Sequence, residues 1–152
     1  MRQVPERLWI TSGVAEGDTE LNAFDNALLR ADIGNFNLIK VSSIVPKGVI
    51  LAEEGPQVPE GALVPAVLST AVSSVPGELI SSCVGLGLSK DSYGIIMEYA
   101  GRASATDAEE MTKKMLEEAF ARRGMTLHRV LLKACQHRVE KVGCTVAAVV
   151  LW

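Results

Sequence analysis

The stretch Gly34-Asn35-Phe36-Asn37-Leu38-Ile39-Lys40-Val41-Ser42-Ser43-Ile44-Val45-Pro46 decides how this chain is read. Phe36, Leu38, Ile39 and Val41 form an apolar run of strand character, and Pro46 ends it because proline brings no donor to a ladder. Two adjacent serines interrupt the run. Such pairs commonly sit at turns or strand ends, where their hydroxyls bond nearby backbone. They also admit a different chemistry. In a strained backbone, Ser43 Oγ attacks the carbonyl of Ser42 and converts the amide into an ester. Elimination then leaves a dehydroalanine, which hydrolyses to a pyruvoyl group heading a new chain that begins at residue 43. A protein of that kind makes its own ketone cofactor. The segment alone leaves both readings open.

Downstream of the serines, residues 46–59 form one long irregular stretch punctuated by Gly48, Gly55, Pro56 and Pro59. A loop there suits a fold that must accommodate new chain ends. A helix is predicted over 19–31, capped by Asp18 or Thr19 and closed by Gly34. A second is predicted over 107–123, with Thr106 and Glu109 as a capping box and Gly124 as the stop. Met111, Met115, Leu116, Ala119 and Phe120 supply its apolar stripe; Glu110, Lys113, Lys114, Glu117 and Glu118 stay wet. Strands are predicted over 7–13, 35–44, 62–75, 78–88, 93–101, 126–139 and 144–152, with a tight turn at Val75-Pro76-Gly77-Glu78. Two helices on a mostly antiparallel sheet make an α+β layered domain.

With 152 residues, 48% hydrophobic and 22% charged, the chain reads as one ordered globular domain, residues 1–152. A net charge of −3 with no basic block gives no electrostatic footprint for nucleic acid. Cys83, Cys135 and Cys144 are odd in number and far apart, which predicts reduced thiols in a cytoplasmic protein. The start lacks an apolar leader, and the longest apolar stretch, 146–152, is too short to span a membrane. His128 and His137 lack ligand spacing with Cys135 and Cys144, so no metal is expected. Gly85-Leu86-Gly87 lacks the third glycine of a dinucleotide site.

Three polar residues stand out. On a helical wheel Asp25 falls inside the arc of Leu21, Phe24, Leu28 and Leu29, where a carboxylate needs a cation or donors. A structural ion pair and a receptor for a cationic substrate both satisfy it. Strand alternation sets Glu98 with Ile96 and Ala100, on a face whose covering would favour the protonated carboxyl that a general acid requires. An edge glutamate reaching solvent is the alternative. Asn37 shares parity with Ile39, Val41 and Ser43, so its amide is a candidate to hold an oxyanion there, or simply to bond backbone.

The quoted stretch, with Glu16-Gly17, Leu21-Asn22-Ala23-Phe24-Asp25, Gly61-Ala62-Leu63-Val64-Pro65, Val75-Pro76-Gly77-Glu78, Gly94-Ile95-Ile96-Met97-Glu98-Tyr99 and Val139-Glu140-Lys141-Val142-Gly143-Cys144, resembles the pyruvoyl-dependent arginine decarboxylases. The similarity runs from about residue 8 to Trp152, with one departure: Lys47 stands where members often carry a second proline. The resemblance implies a four-layer αββα sandwich with mostly antiparallel sheets, forming a homotrimer or a dimer of trimers with active sites between protomers. It implies self-cleavage into chains 1–42 and 43–152, Ser43 becoming the pyruvoyl cofactor. Ser42, Asn37 and Ile44 would line the pocket, Asp25 would receive the guanidinium, and Glu98 would donate a proton. The implied reaction is decarboxylation of L-arginine to agmatine through a Schiff base, feeding polyamine synthesis, with no metal, nucleic acid or membrane partner. A pyruvoyl enzyme for another cationic amino acid such as histidine, and an uncleaved trimeric binding protein, are the alternatives.

Overall fold

The computed structural model describes residues 3–152. In order along the chain come β1 (Arg7–Glu16), α1 (Glu20–Arg30), β2 (Asn37–Lys40), β3 (Ile44–Val45), β4 (Ile50–Leu51), β5 (Leu63–Ser73), β6 (Leu79–Leu88), β7 (Gly94–Gly101), α2 (Ala105–Arg122), β8 (Arg129–Arg138) and β9 (Gly143–Leu151). They build a five-stranded sheet, β2-β5-β9-β1-β4, and a four-stranded sheet, β3-β7-β6-β8. Pairing is antiparallel except at the two margins of the larger sheet, where β2 runs parallel to β5 and β4 parallel to β1. The α+β class with mostly antiparallel sheets follows directly.

Alternating side chains sort three cores. Ala23, Ala27 and Leu28 of α1 pack with Val64, Ala66, Val146, Ala148 and Val150 on the outer face of the larger sheet. Leu8, Val67, Val149 and Leu151 on its inner face meet Val84, Leu86 and Ile96 of the smaller sheet, with Val45. Leu116, Ala119 and Phe120 of α2 cover the other side of the smaller sheet with Ile95. One helix thus lies outside each sheet, and the sheets face each other, an arrangement compatible with a sandwich.

Glycine explains how closely α2 sits. A Cβ at Gly87 would stand 2.6 Å from Phe120 Cε1, and one at Gly85 would stand 2.7 Å from Thr112 Cγ2. The Gly-Leu-Gly run therefore serves helix packing. Gly87→Ala is expected to destabilise by about 1–3 kcal/mol, because Phe120 has no free volume to move into. A urea midpoint unchanged from the parent would refute that account.

Several expectations need correction. The first helix keeps Thr19 as N-cap, its side chain accepting from Asn22 N, but the left-handed residue past its end is Asp32 (φ 60), not Gly34. The second helix begins earlier: Ser104, not Thr106, is the N-cap, accepting from Asp107 N, so the Thr106–Glu109 capping box does not form. Both Ser and Thr precede acidic residues there, and burial of Ala108 and Thr112 selects the register that places Ser104 at the cap. The same register leaves Met111 44% exposed rather than in the stripe. Gly124 does end the helix, with φ 63, and the 75–78 turn forms with Glu78 N donating to Val75 O and Gly77 at φ 86. The stretch 46–59 is not wholly irregular, since β4 lies within it.

The turn between β8 and β9 is pinned by Glu16. Its carboxylate accepts from the backbone N–H of Lys141 (2.7 Å), Val142 (3.1 Å) and Glu140 (3.3 Å), and meets His137 Nε2 at 2.6 Å. Burial pushes this carboxyl up, but the His137 bond and the three backbone donors outweigh it and hold it below the usual carboxylate value. All three cysteines are free thiols, and burial pushes Cys144 up to about 12. Among the described residues, no helix is long and apolar enough to cross a membrane.

Candidate active site

The predicted strand 35–44 is two strands in different sheets. β2 lies beside β5 at one margin of the larger sheet, β3 lies beside β7 in the smaller one, and residues 41–43 cross between them. Sequence pattern conceals the break because Leu38, Ile39 and Val41 on one side and Ile44 and Val45 on the other are equally good strand formers. The crossing is tied down at both ends. Val41 N donates to Ala66 O at 3.1 Å, and Ser43 O accepts from Ile96 N at 2.7 Å. The Ser42–Ser43 peptide bond thus lies between one residue bonded to the larger sheet and one bonded to the smaller. Ser42 is exposed, Ser43 half-buried and Ile44 43% exposed.

Glu98 lies two residues beyond Ile96 on β7, a displacement of about 7 Å along the strand, on the same inward face. It is paired across the sheet with Val84. The residue remains exposed in one chain. Its carboxyl is nevertheless desolvated by the surrounding sheet, which raises its pKa, while the Lys40 charge pulls the other way. Burial outweighs the lysine, and any cover over this edge deepens the desolvation. Lys40 and Ser69 were not singled out by the sequence pattern. Lys40 stands three positions before Ser43, and the Ser69 hydroxyl donates to Tyr99 O at 2.6 Å, next to Glu98. No periodicity signals either; only the folded neighbourhood does.

Asn37 is exposed, and its Nδ2 donates to Gly61 O at 2.8 Å. In one chain its amide thus braces the loop entering β5, the plainer of its two readings. Asp25 departs further from expectation. The helical arc that contains it faces outward: Leu21 is 75% exposed, Leu29 46% exposed, and Asp25 itself exposed. Small residues cause this. Ala23 and Ala27 bring α1 onto Gly13, where a Cβ would stand 2.5 Å from Ala27 O, so the buried face centres on the alanines with Leu28, and the edge carrying Leu21, Asp25 and Leu29 is left outside. α1 covers the outer face of the larger sheet, whereas Glu98 faces the space between sheets. One chain therefore carries Ser42, Ser43 and Ile44 on and beside the crossing, sets Glu98 two residues beyond the Ile96 that bonds Ser43, and holds Asp25 on another layer.

Beside the crossing segment lies a cleft of about 700 Å³, lined by Ser42, Ile44, Pro46, Leu63, Pro65 and Trp152 among others. Glu98, Asn37 and Asp25 are not in its wall. Next along the chain, Val49 N donates to Pro46 O at 3.3 Å with Gly48 at φ 75, so Lys47 occupies the first corner of a turn. Proline suits that corner well, and lysine fills it without changing the turn.

Residues 7–152 match the family model of pyruvoyl-dependent arginine decarboxylase. The chain is 43% identical to the protein of that name from Methanocaldococcus jannaschii, over 99% of this chain and 92% of the relative. It is 42% identical to those from Thermococcus kodakarensis and Pyrococcus furiosus, in each case over 97% of this chain and 96% of the relative. A tethered Ser-Ser crossing, a desolvated glutamate beside it and near full-length identity converge on one statement: the chain belongs to the pyruvoyl-dependent arginine decarboxylase family.

Proposed function

We propose that this protein decarboxylates L-arginine to agmatine and carbon dioxide, using a pyruvoyl group that it makes from Ser43. The observation that carries the proposal is the Ser42–Ser43 link, held at Val41 by one sheet and at Ser43 by the other. Tethering at both ends resists the relaxation that would move Ser43 Oγ away from the Ser42 carbonyl. Attack breaks the amide and forms an ester. Elimination releases the Ser42 carboxylate and leaves dehydroalanine at 43, which takes up water and releases ammonia to become the pyruvoyl cap. Chains 1–42 and 43–152 then remain together, because β2 stays in the larger sheet and β3 in the smaller one.

The pyruvoyl carbonyl supplies the electron sink that decarboxylation requires. The chain's own residues do the rest. Glu98, whose protonated form desolvation favours, delivers a proton to the substrate Cα. Ser42, Ile44 and Asn37 border the reacting end. Asp25 takes the guanidinium at the far end, so that binding energy there orients the scissile bond. Asp25 reaches that position from a neighbouring protomer in a homotrimer, or a dimer of trimers, of (αβ) units. The exposed Leu21 and Leu29 on either side of Asp25 support this, since such apolar surface calls for a cover. No metal is required, and the product agmatine suits polyamine synthesis in the cytoplasm.

Denaturing electrophoresis with mass spectrometry tests the proposal: two fragments, the larger with a blocked N-terminus, together with carbon dioxide released from arginine. A single uncut band refutes it in favour of a binding protein. A substrate panel in which histidine outperforms arginine refutes the assignment of substrate. Asp25→Asn is expected to raise KM for arginine about tenfold or more and to lower kcat as well, since the guanidinium contact both binds the substrate and orients the scissile bond. An unchanged KM would remove Asp25 from the site.

A further inference from the structure

The two sheets are not joined only by apolar contact. At one end of their interface, short polar side chains reach backbone of the facing sheet. Ser82 Oγ of β6 donates to Thr145 O of β9 at 3.1 Å, and Cys135 Sγ of β8 approaches Val146 O at 3.3 Å. A serine side chain is too short to span ordinary sheet separation, so the sheets come unusually close there. Ser69 of β5 makes a third such contact, and its place differs. It is 3% exposed, and its hydroxyl donates to Tyr99 O on β7 at 2.6 Å. Tyr99 directly follows Glu98. Beyond β3, which pairs with Ile95 and Gly94, the Glu98 stretch of β7 has no strand neighbour on that side among the described residues. Ser69 is thus the cross-sheet tether closest to the proton donor.

We infer that Ser69 is a positioning residue for Glu98, its buried bond to the Tyr99 carbonyl fixing where the carboxyl stands relative to Ser43 and how far water reaches it. The inference rests on the proposed role of Glu98 as proton donor. Cutting the tether lets the margin of β7 separate from β5. The carboxyl then gains both freedom and hydration. Freedom lowers the fraction of geometries suited to proton delivery; hydration favours the ionised, useless form. The charged groups that bear on this carboxyl are Lys40, at the end of β2 in the other sheet, and Lys133 on β8, which follows Glu98 and Val84 in the cross-strand register. Neither touches Ser69's bond, so its removal changes hydration rather than local charge.

Ser69→Ala and Ser69→Cys remove or weaken the donor, and Ser69→Thr keeps a hydroxyl. The parent enzyme is measured alongside: an uncut, inactive parent would defeat the functional proposal itself, independently of Ser69. With the parent cut and active, kcat is expected to fall about tenfold to hundredfold in Ser69→Ala at an unchanged KM. The alkaline limb of its kcat–pH profile should move down by about one unit, with Ser69→Thr regaining much of both. If Ser69→Ala does not fold, Ser69→Cys gives the same reading. Folded variants with the parent's kcat and limb overturn the inference. A fall in kcat with the limb unmoved also overturns it, because a purely structural role would produce that.

Discussion

Ser43→Ala is expected to yield one uncut chain of about 16.2 kDa that releases no carbon dioxide from arginine. The substitution removes the nucleophile and the only source of the ketone together. Turnover therefore falls to background, a loss of about 10⁶-fold or more. The fold should survive. Ser43 is bound into the smaller sheet through its backbone carbonyl, which alanine retains at the Ile96 N–H. Val45, next but one along the chain, is buried in the core between the sheets and continues to anchor β3. Mass spectrometry of purified material reads the result. Two fragments from Ser43→Ala would place the cleavage elsewhere or give it another nucleophile.

Glu98→Gln is expected to keep the fold and lower turnover by about 10²–10⁴-fold, the range for losing a positioned general acid. Self-cleavage is expected to be slowed at most. The pH behaviour gives a second check. Burial holds the folded-state pKa of Glu98 above its ordinary value, with Lys40 opposing. The folded protein therefore binds that proton more tightly than the unfolded chain. Its contribution to stability is fully present below the unfolded pKa and disappears as pH rises through the folded one. Above that folded-state value the parent carries an ionised, poorly solvated carboxylate that the variant lacks. Glu98→Gln should then gain thermal stability relative to the parent as pH rises through the alkaline limb of the parent's activity, and lose that advantage in acid. The same titration sets the alkaline limit of the parent's activity, because only the protonated form can donate. A variant whose stability relative to the parent falls as pH rises would contradict this assignment.

Much of the architecture can be read from local chemistry. Gly124 stops α2 because it sits at φ 63, a conformation that favours residues without a Cβ. Pro76-Gly77 makes its turn for the same reason, proline and glycine each matching one corner. Six of the seven strand predictions each correspond to one observed strand, because alternation and β-branching persist over many residues; the seventh, 35–44, spans two strands in different sheets. Short elements escape. β4 is two residues long, and Ile50-Leu51 carries no periodicity. The cap of α2 was misplaced because Ser104 and Thr106 offer the same hydroxyl chemistry, and only the burial of Ala108 and Thr112 distinguishes them.

By itself the sequence determined the class of fold, the adjacency of two serines and the residue types available for acid and cation-receptor roles, since these depend on bonds and side chains a few positions apart. Tertiary structure decided what those residues face. It sends residues 41–43 from one sheet to the other, which turns an ordinary Ser-Ser pair into a tethered linkage. It turns Leu21 and Leu29, on either side of Asp25, outward, since hydrophobicity is the same property whether a core or a neighbouring surface will cover it. It also brings Ser69 to the backbone beside Glu98, thirty residues away in sequence. Contacts between sheets depend on separation and register summed over the whole chain, and no local pattern encodes that sum.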